Sequence, residues 1–271
     1  MIDIHTHIGR LSFAPDWPML TAEMLIEQMD ANGIEKSVLL TLDSPEACDG
    51  SFTIPEALEA VQRYPERLQA FAGVDPRRDG VANKIRLYRK MGCCGFGEHK
   101  MGLAIDDPRC QVIYKTCGGS GWSVLFHLDP GLNIDENGLP RTEQMIRQYP
   151  ETKFIMHGPG WWCEISGDCT VRGGYPKGPI TPGGAVERLL QHYPNVYADL
   201  SAGSGHNALV RDPDFTPGFL ERNWGKLCFG TDLLRAGQEL PIIDWFKHLD
   251  LDREKKEAIA WRNATRLIAT D

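Results

Sequence analysis

Residues 2–8 read IDIHTHI, two histidines one residue apart inside an apolar run. Side chains alternate faces along an extended strand, so His5 and His7 share one face and Thr6 takes the other. Two imidazoles a pleat apart can grip one metal ion, which neighbouring residues cannot. A chain with eight histidines produces an HxH by chance, so the pair gains meaning only from what returns to it.

Seven further short runs, rich in β-branched or aromatic residues, follow: KSVLLTL (36–42), LQAFAGVD (68–75), CGFGEHKM (94–101), WSVLFHL (122–128), KFIMHG (153–158), NVYADLS (195–201) and KLCFGTDLL (226–234). Most are apolar at both parities, as expected of strands buried on both faces. Amphipathic stretches such as TAEMLIEQMDANG (21–33), IPEALEAVQRYPERL (54–68), VANKIRLYRKMG (81–92) and AVERLLQHYP (185–194) lie between them. In the first, Met24, Leu25, Gln28 and Met29 recur at helical spacing, Thr21 is placed to cap the start, and Asn32–Gly33 supplies a stop.

Strand then helix, repeated about eight times, predicts a (β/α)8 TIM barrel spanning residues 1–271 as a single domain. The rival is an open doubly wound sheet. No glycine-rich dinucleotide fingerprint follows an early strand, and GFGEHKMG (95–102) lacks both the spacing and a helix to open.

Two connections are long. GPGWWCEISGDCTVRGGYPKGPITPGG (158–184) is rich in Gly and Pro, carries Trp161 and Trp162, and has no helical period, so it reads as a lid-like loop after strand 6, with a floppy surface excursion as the competing reading. DPGLNIDENGLP (129–140) after strand 5 is shorter.

The net charge of −8 and the lack of Lys/Arg clusters argue against a nucleic-acid surface and for a small-molecule partner. No apolar run approaches the roughly 20 residues needed to cross a bilayer. The start lacks a basic region followed by a signal-peptide core, so the expectation is a soluble, cytoplasmic protein. The eight cysteines then read as reduced, buried or incidental thiols, and neither Cys93–Cys94 nor Cys163 and Cys169 has zinc-ribbon spacing.

The remaining polar residues give the HxH its context. His127 ends the apolar run WSVLF, His157 ends KFIM and Asp232 ends LCFGT, each at the carboxyl end of a predicted strand, and in a parallel barrel those ends meet at one mouth. An unpaired buried histidine costs on the order of a few kcal/mol, an unpaired carboxylate more. A shared metal ion removes the difficulty for all of them; separate histidines satisfied by backbone groups are the alternative.

DIHTHIG (3–9) at the first strand, histidines closing the fifth and sixth, FGTD (229–232) closing the eighth and NATRLI (263–268) near the end together resemble the amidohydrolase superfamily. The details most resemble its amidohydrolase-related branch, which contains aminocarboxymuconate semialdehyde decarboxylase, resorcylate-type decarboxylases and several lactonases. By position, the resemblance implies that His5, His7, His127 and Asp232 hold a divalent metal, most often zinc and sometimes manganese, with His157 beside it as an acid/base or polarising group. It also implies that a homodimer is common.

On strand 4 some amidohydrolases carry a carboxylated lysine or a glutamate that bridges two metals, whereas this chain offers Glu98, His99 and Lys100. Alternation puts Glu98 and Lys100 on one face, facing the interior, and His99 on the other. Glu98 is then a further ligand or a substrate-facing acid, unless it and Lys100 form an ion pair that fills the barrel. Arg10 and Arg235 follow the first and last strands and are candidates to clamp a substrate carboxylate, against the reading of solvated surface arginines. Trp161 and Trp162 are candidates to cover an apolar substrate, or simply anchor their loop.

The leading expectation is a metal-dependent hydrolase attacking an ester, lactone or amide with metal-activated water, Asp232 taking the proton. The alternative is a non-oxidative decarboxylase or lyase of an aromatic or unsaturated carboxylic acid. A third reading, from a different class, is a barrel that binds metal or ligand without turnover.

Overall fold

The computed structural model describes residues 1–11, 14, 16–46, 52–170 and 173–269. Eight strands follow chain order: β1 (Ile2–Thr6), β2 (Lys36–Leu40), β3 (Leu68–Phe71), β4 (Phe96–His99), β5 (Ser123–His127), β6 (Lys153–His157), β7 (Val196–Asp199) and β8 (Leu227–Cys228). They pair in parallel as β1-β2-β3 and β4-β5-β6-β7-β8. Parallel bridges from Ala72 to Phe96 and from Thr6 to Leu233 join the two sets at both edges. Backbone hydrogen bonds from Ile4 to Phe229 (3.1 Å), His7 to Leu233 (2.9 Å) and Asp232 to His5 (2.9 Å) complete the circle. The expected eight-stranded barrel is what forms.

The helices are α1 (Ala22–Asn32), α2 (Ile54–Arg63), α3 (Val81–Lys90), α4 (Pro108–Gly119), α5 (Pro140–Gln148), α6 (Pro159–Trp162), α7 (Ala185–His192), α8 (Ala202–Val210), α9 (Thr216–Asn223), α10 (Pro241–His248), α11 (Arg253–Glu257) and α12 (Asn263–Leu267). As its sequence predicts, α1 starts at Thr21, which accepts the Met24 N–H, and stops at Gly33 in the left-handed conformation (φ 71°). No helix among the described residues is long and apolar enough to cross a membrane.

The barrel interior has two layers. Ile4, Val38, Leu40, Phe71, Leu125 and Ile155 form an apolar cluster that Leu267 and Ile268 close at the amino-terminal end. One pleat above Leu125, Ile155 and Tyr197 stand His127, His157 and Asp199. The opposite faces of the strands pack on the helices, where Phe126 stacks on Phe154 with centroids 5.3 Å apart. Strict alternation fails at β1 and β4, whose registers shift between Asp3 and Thr6 and between Phe96 and His99. Phe96 therefore joins the helix-side core while Glu98, two residues on, faces the interior.

Two expectations need correction. The 158–184 segment is not one unstructured lid: α6 starts at Pro159, a 3-10 turn follows over Cys163–Ile165, and Trp161 and Trp162 are 0% and 2% exposed. Burying two indoles against the helix layer stabilises the chain more than leaving them over an open mouth. Residues 171 and 172 of this segment lie outside the described residues. Cys163 and Cys169 are not thiols but form a disulfide, because the 3-10 turn brings their Cα atoms to 5.6 Å. Cys93, Cys94, Cys110, Cys117 and Cys228 are free, and Cys48 lies outside the described residues.

Leu125 is fully buried at the centre of the interior cluster. Leu125→Ala is expected to cost about 2–5 kcal/mol, read as a lower urea midpoint at unchanged slope. A loss under about 1 kcal/mol would show that the interior is not close-packed.

Candidate metal centre

β1 delivers His5 and His7 to the carboxyl end of the barrel, where both side chains turn inward. His7 Nδ1 lies 2.9 Å from the Leu40 carbonyl oxygen, and His5 Nδ1 lies 2.6 Å from Asp199 Oδ2. Each acceptor takes an N–H, so the Nδ1 atoms carry protons and the Nε2 atoms are left facing each other, 3.1 Å apart. Asp232 Oδ1 completes a triangle with them, 3.3 Å from His5 Nε2 and 3.5 Å from His7 Nε2.

Asp232 adopts a left-handed backbone (φ 55°) and is tied in place from β1. Its N–H donates to the His5 carbonyl oxygen. The preceding Thr231 donates its N–H (3.0 Å) and hydroxyl (2.6 Å) to the buried Asp3 carboxylate, which also accepts the His5 N–H (3.1 Å).

Tetrahedral donors about 2.0–2.1 Å from a zinc ion sit about 3.3 Å from one another, and the three measured edges match this. The facing Nε2 atoms and the clustered negative charge fit a divalent cation. Glu98 stands next to the triangle, with Oε2 3.6 Å from His7 Nε2 and 4.0 Å from His5 Nε2. Its other oxygen, Oε1, lies 2.9 Å from His127 Nδ1.

His127 thus joins Glu98 and His157 in a second group of convergent donors rather than the His5, His7 and Asp232 group. The two groups share a wall at Glu98, with Lys100 Nζ 3.7 Å from Glu98 Oε2. His99 points the other way, against Phe96, Tyr114 and Phe126, as alternation predicts.

The electrostatics agree with the geometry. Burial alone would lower the His5 pKa, but Asp232, Asp199 and Glu98 overcome it and raise it to about 9, so the cage holds positive charge strongly. Burial likewise opposes ionisation of Glu98, yet Lys100 and His127 hold it well below the usual carboxylate range. Asp232 is lowered against its burial by His5 and His7. His157 is lowered, first by burial and then by the His5 charge.

The other candidates are dispersed. Arg10 is exposed beyond β1, and the Arg235 guanidinium lies over the Trp17 ring, 5.1 Å from its centroid. Trp161 and Trp162 lie beneath the site rather than over it, Trp162 donating its indole N–H to the Asp199 carbonyl oxygen (3.1 Å).

Sequence reasoning passed over Asp199 and Ser201 on NVYADLS, although an acid at a strand's carboxyl end was the signal used for Asp232. It also passed over Tyr175. That residue is 57% exposed, its hydroxyl would lie 2.9 Å from a Cβ added at Gly203, and burial and the Asp232 charge raise its pKa.

The sequence matches the family model described as amidohydrolase over residues 2–269. The chain belongs to the amidohydrolase family. The match covers the barrel from β1 to the final helix, and it makes this a metal-dependent enzyme of that family. No protein of curated function matches this amidohydrolase in sequence.

Among solved structures, a probable 2-pyrone-4,6-dicarboxylic acid hydrolase from Acinetobacter baumannii, with citric acid bound, aligns at 18% identity and TM-score 0.66, covering 98% of each chain. A dihydroxybenzoic acid decarboxylase from Polaromonas with manganese and 2-nitroresorcinol aligns at 17% and 0.61, covering 98% of this chain and 96% of that one. A 5-carboxyvanillate decarboxylase from Sphingomonas paucimobilis aligns at 15% and 0.61, covering 99% and 98%. At these identities the likeness shows the shared barrel.

His5→Ala and Asp232→Asn are each expected to weaken zinc or manganese binding by more than about 100-fold, since loss of a supporting partner alone typically costs 10–100-fold. Competition with a chelating dye measures this. His192→Ala, on the exposed end of α7, is the control and should bind as the parent does; equal losses in all three would argue against this site.

Proposed function

We propose that this amidohydrolase hydrolyses a small ester, lactone or amide. The observation that carries the reading is the pair of donor groups sharing Glu98, His5/His7/Asp232 on one side and His127/His157 on the other. The first group would hold a divalent ion, and the second faces it across Glu98. Such an ion would supply Lewis acidity and a water whose pKa is lowered to roughly 7. Zinc is the proposed metal and manganese the alternative, since nitrogen and carboxylate donors serve both.

Of the first group, Asp232 is the open member: its side chain is 18% exposed while His5 and His7 are nearly sealed. Asp232 therefore takes the proton of the attacking water and returns it to the leaving group. His157 Nε2, buried without a hydrogen-bond partner among the described residues, faces the substrate from the opposite wall as a proton acceptor. Lys100, 20% exposed beside Glu98, supplies a cation toward an anionic substrate. That same cation favours the second reading, decarboxylation of an aromatic or unsaturated acid. A cytoplasmic location belongs to the proposal, supported by the five free thiols among the described residues and opposed by the Cys163–Cys169 bond.

Metal analysis of the purified protein tests the His5/His7/Asp232 site directly, with at least one ion per chain expected and His157→Asn keeping it. Screening the reconstituted protein against lactones, esters and aromatic carboxylates tests the reaction. Acid release without carbon dioxide is expected, with His157→Asn slower by on the order of 10²–10⁴-fold. Carbon dioxide release would replace the hydrolase reading with the lyase one, and metal retention without turnover of either class would leave a binding barrel.

A further inference from the structure

Behind both donor groups sits one fully buried carboxylate. Asp199 ends β7 and is 0% exposed. Its Oδ2 lies 2.6 Å from His5 Nδ1, 2.8 Å from Ser201 Oγ and 3.3 Å from His157 Nδ1. Ser201 Oγ lies 3.0 Å from His157 Nδ1 and 3.2 Å from His5 Nδ1. The other oxygen, Oδ1, accepts the Ser201 N–H at 2.9 Å, which fixes the carboxylate plane.

The room is exact for a glycine at position 230, where an added Cβ would come within 2.4 Å of Asp199 Oδ1 and 3.0 Å of the Ser201 Cβ. A Cβ essentially never sits closer than 3.0 Å to another heavy atom, so only glycine leaves the carboxylate where it is.

Counting protons leaves one consistent assignment. An ionised carboxylate only accepts, and a serine hydroxyl has a single proton to give. The hydroxyl donates to Asp199 Oδ2, the closer acceptor, and so accepts from His157 Nδ1–H, while His5 Nδ1–H donates to Asp199 directly. In their neutral forms both imidazoles are then protonated at Nδ1, and both present an Nε2 lone pair to the centre: His5 toward His7 and Asp232, His157 to its unpartnered position.

We propose that Asp199 is a positioning residue that sets the tautomers of two imidazoles at once, directing His5 Nε2 to the metal and, through Ser201, His157 Nε2 to the substrate side. The proposal rests on the metal reading above for His5, but not for His157. Partners of this kind orient metal-ligating imidazoles and, when removed, typically weaken metal binding 10–100-fold. Asp199→Asn is incompatible with the assignment in either amide orientation: the NH₂ faces the His5 N–H in one and the Ser201 N–H in the other.

The test is side-chain ¹⁵N NMR of the histidines in zinc-loaded protein, with zinc affinity measured in parallel. Wild type is expected to show His5 and His157 protonated at Nδ1. Asp199→Asn should bind zinc about 10–100-fold more weakly and leave His157 a mixture of tautomers; Asp199→Ser serves the same purpose if the Asn variant does not fold. Ser201→Ala should shift the His157 Nδ1 proton, whose acceptor it removes, and leave zinc affinity unchanged. A wild-type His157 protonated at Nε2, or an Asp199→Asn protein that binds zinc as tightly as wild type, would overturn the proposal. Should wild type bind no zinc, the metal reading fails, while the His157 tautomer in the zinc-free protein still decides the positioning role.

Discussion

Two imidazole nitrogens face each other across 3.1 Å at the mouth of this barrel. His5 and His7 have committed their Nδ1 protons to Asp199 and to the Leu40 carbonyl oxygen, so the space between the two Nε2 atoms belongs to one positive charge, a proton or the metal ion that displaces it. Buried polar atoms in that state are costly unless something positive lies between them. The surrounding carboxylates Asp232, Glu98 and Asp199 raise the demand for positive charge further, as the elevated His5 pKa records. A divalent cation answers that demand with one particle, and the family to which the chain belongs is built on one.

The rest of the barrel serves this constraint by separating two tasks along each strand. The lower interior layer is apolar and close-packed and supplies stability. The upper layer, one pleat further on at β5, β6 and β7, carries the polar groups His127, His157 and Asp199. Because the strands are parallel, every upper residue emerges at the same end. Where alternation would have missed the mark, at β1 and β4, the register shifts, and the irregularity brings His5 and Glu98 inward.

Loops hold the mouth in place from outside. Asp3 fastens Thr231 to β1, which keeps Asp232 against His5. Arg77 clamps Glu46 and Asp75, joining the loops after β2 and β3, and the Ser44 hydroxyl donates to the Lys100 carbonyl oxygen at 2.7 Å beside Glu98. The segment after β6 contributes in two layers, its tryptophans to the core and Tyr175 to the rim. Anchoring and exposure are thus divided between residues of one segment.

The sequence by itself determined the strand-helix repeat, the shared face of His5 and His7, the strand-end positions of His127, His157 and Asp232, and the shared face of Glu98 and Lys100. Each of these is a local pattern, fixed by the two-residue period of a strand or by the boundary of an apolar run. Only the tertiary structure decided which donors meet. His5 and Asp199 lie 194 residues apart, and no local period links them, so the carboxylate behind the site was invisible. The division of His127 and His157 from the first donor group, the burial of Trp161 and Trp162 and the Cys163–Cys169 bond depend in the same way on how the chain packs. Spacing sets which way a side chain points; the closure of eight strands into one ring sets what it meets there.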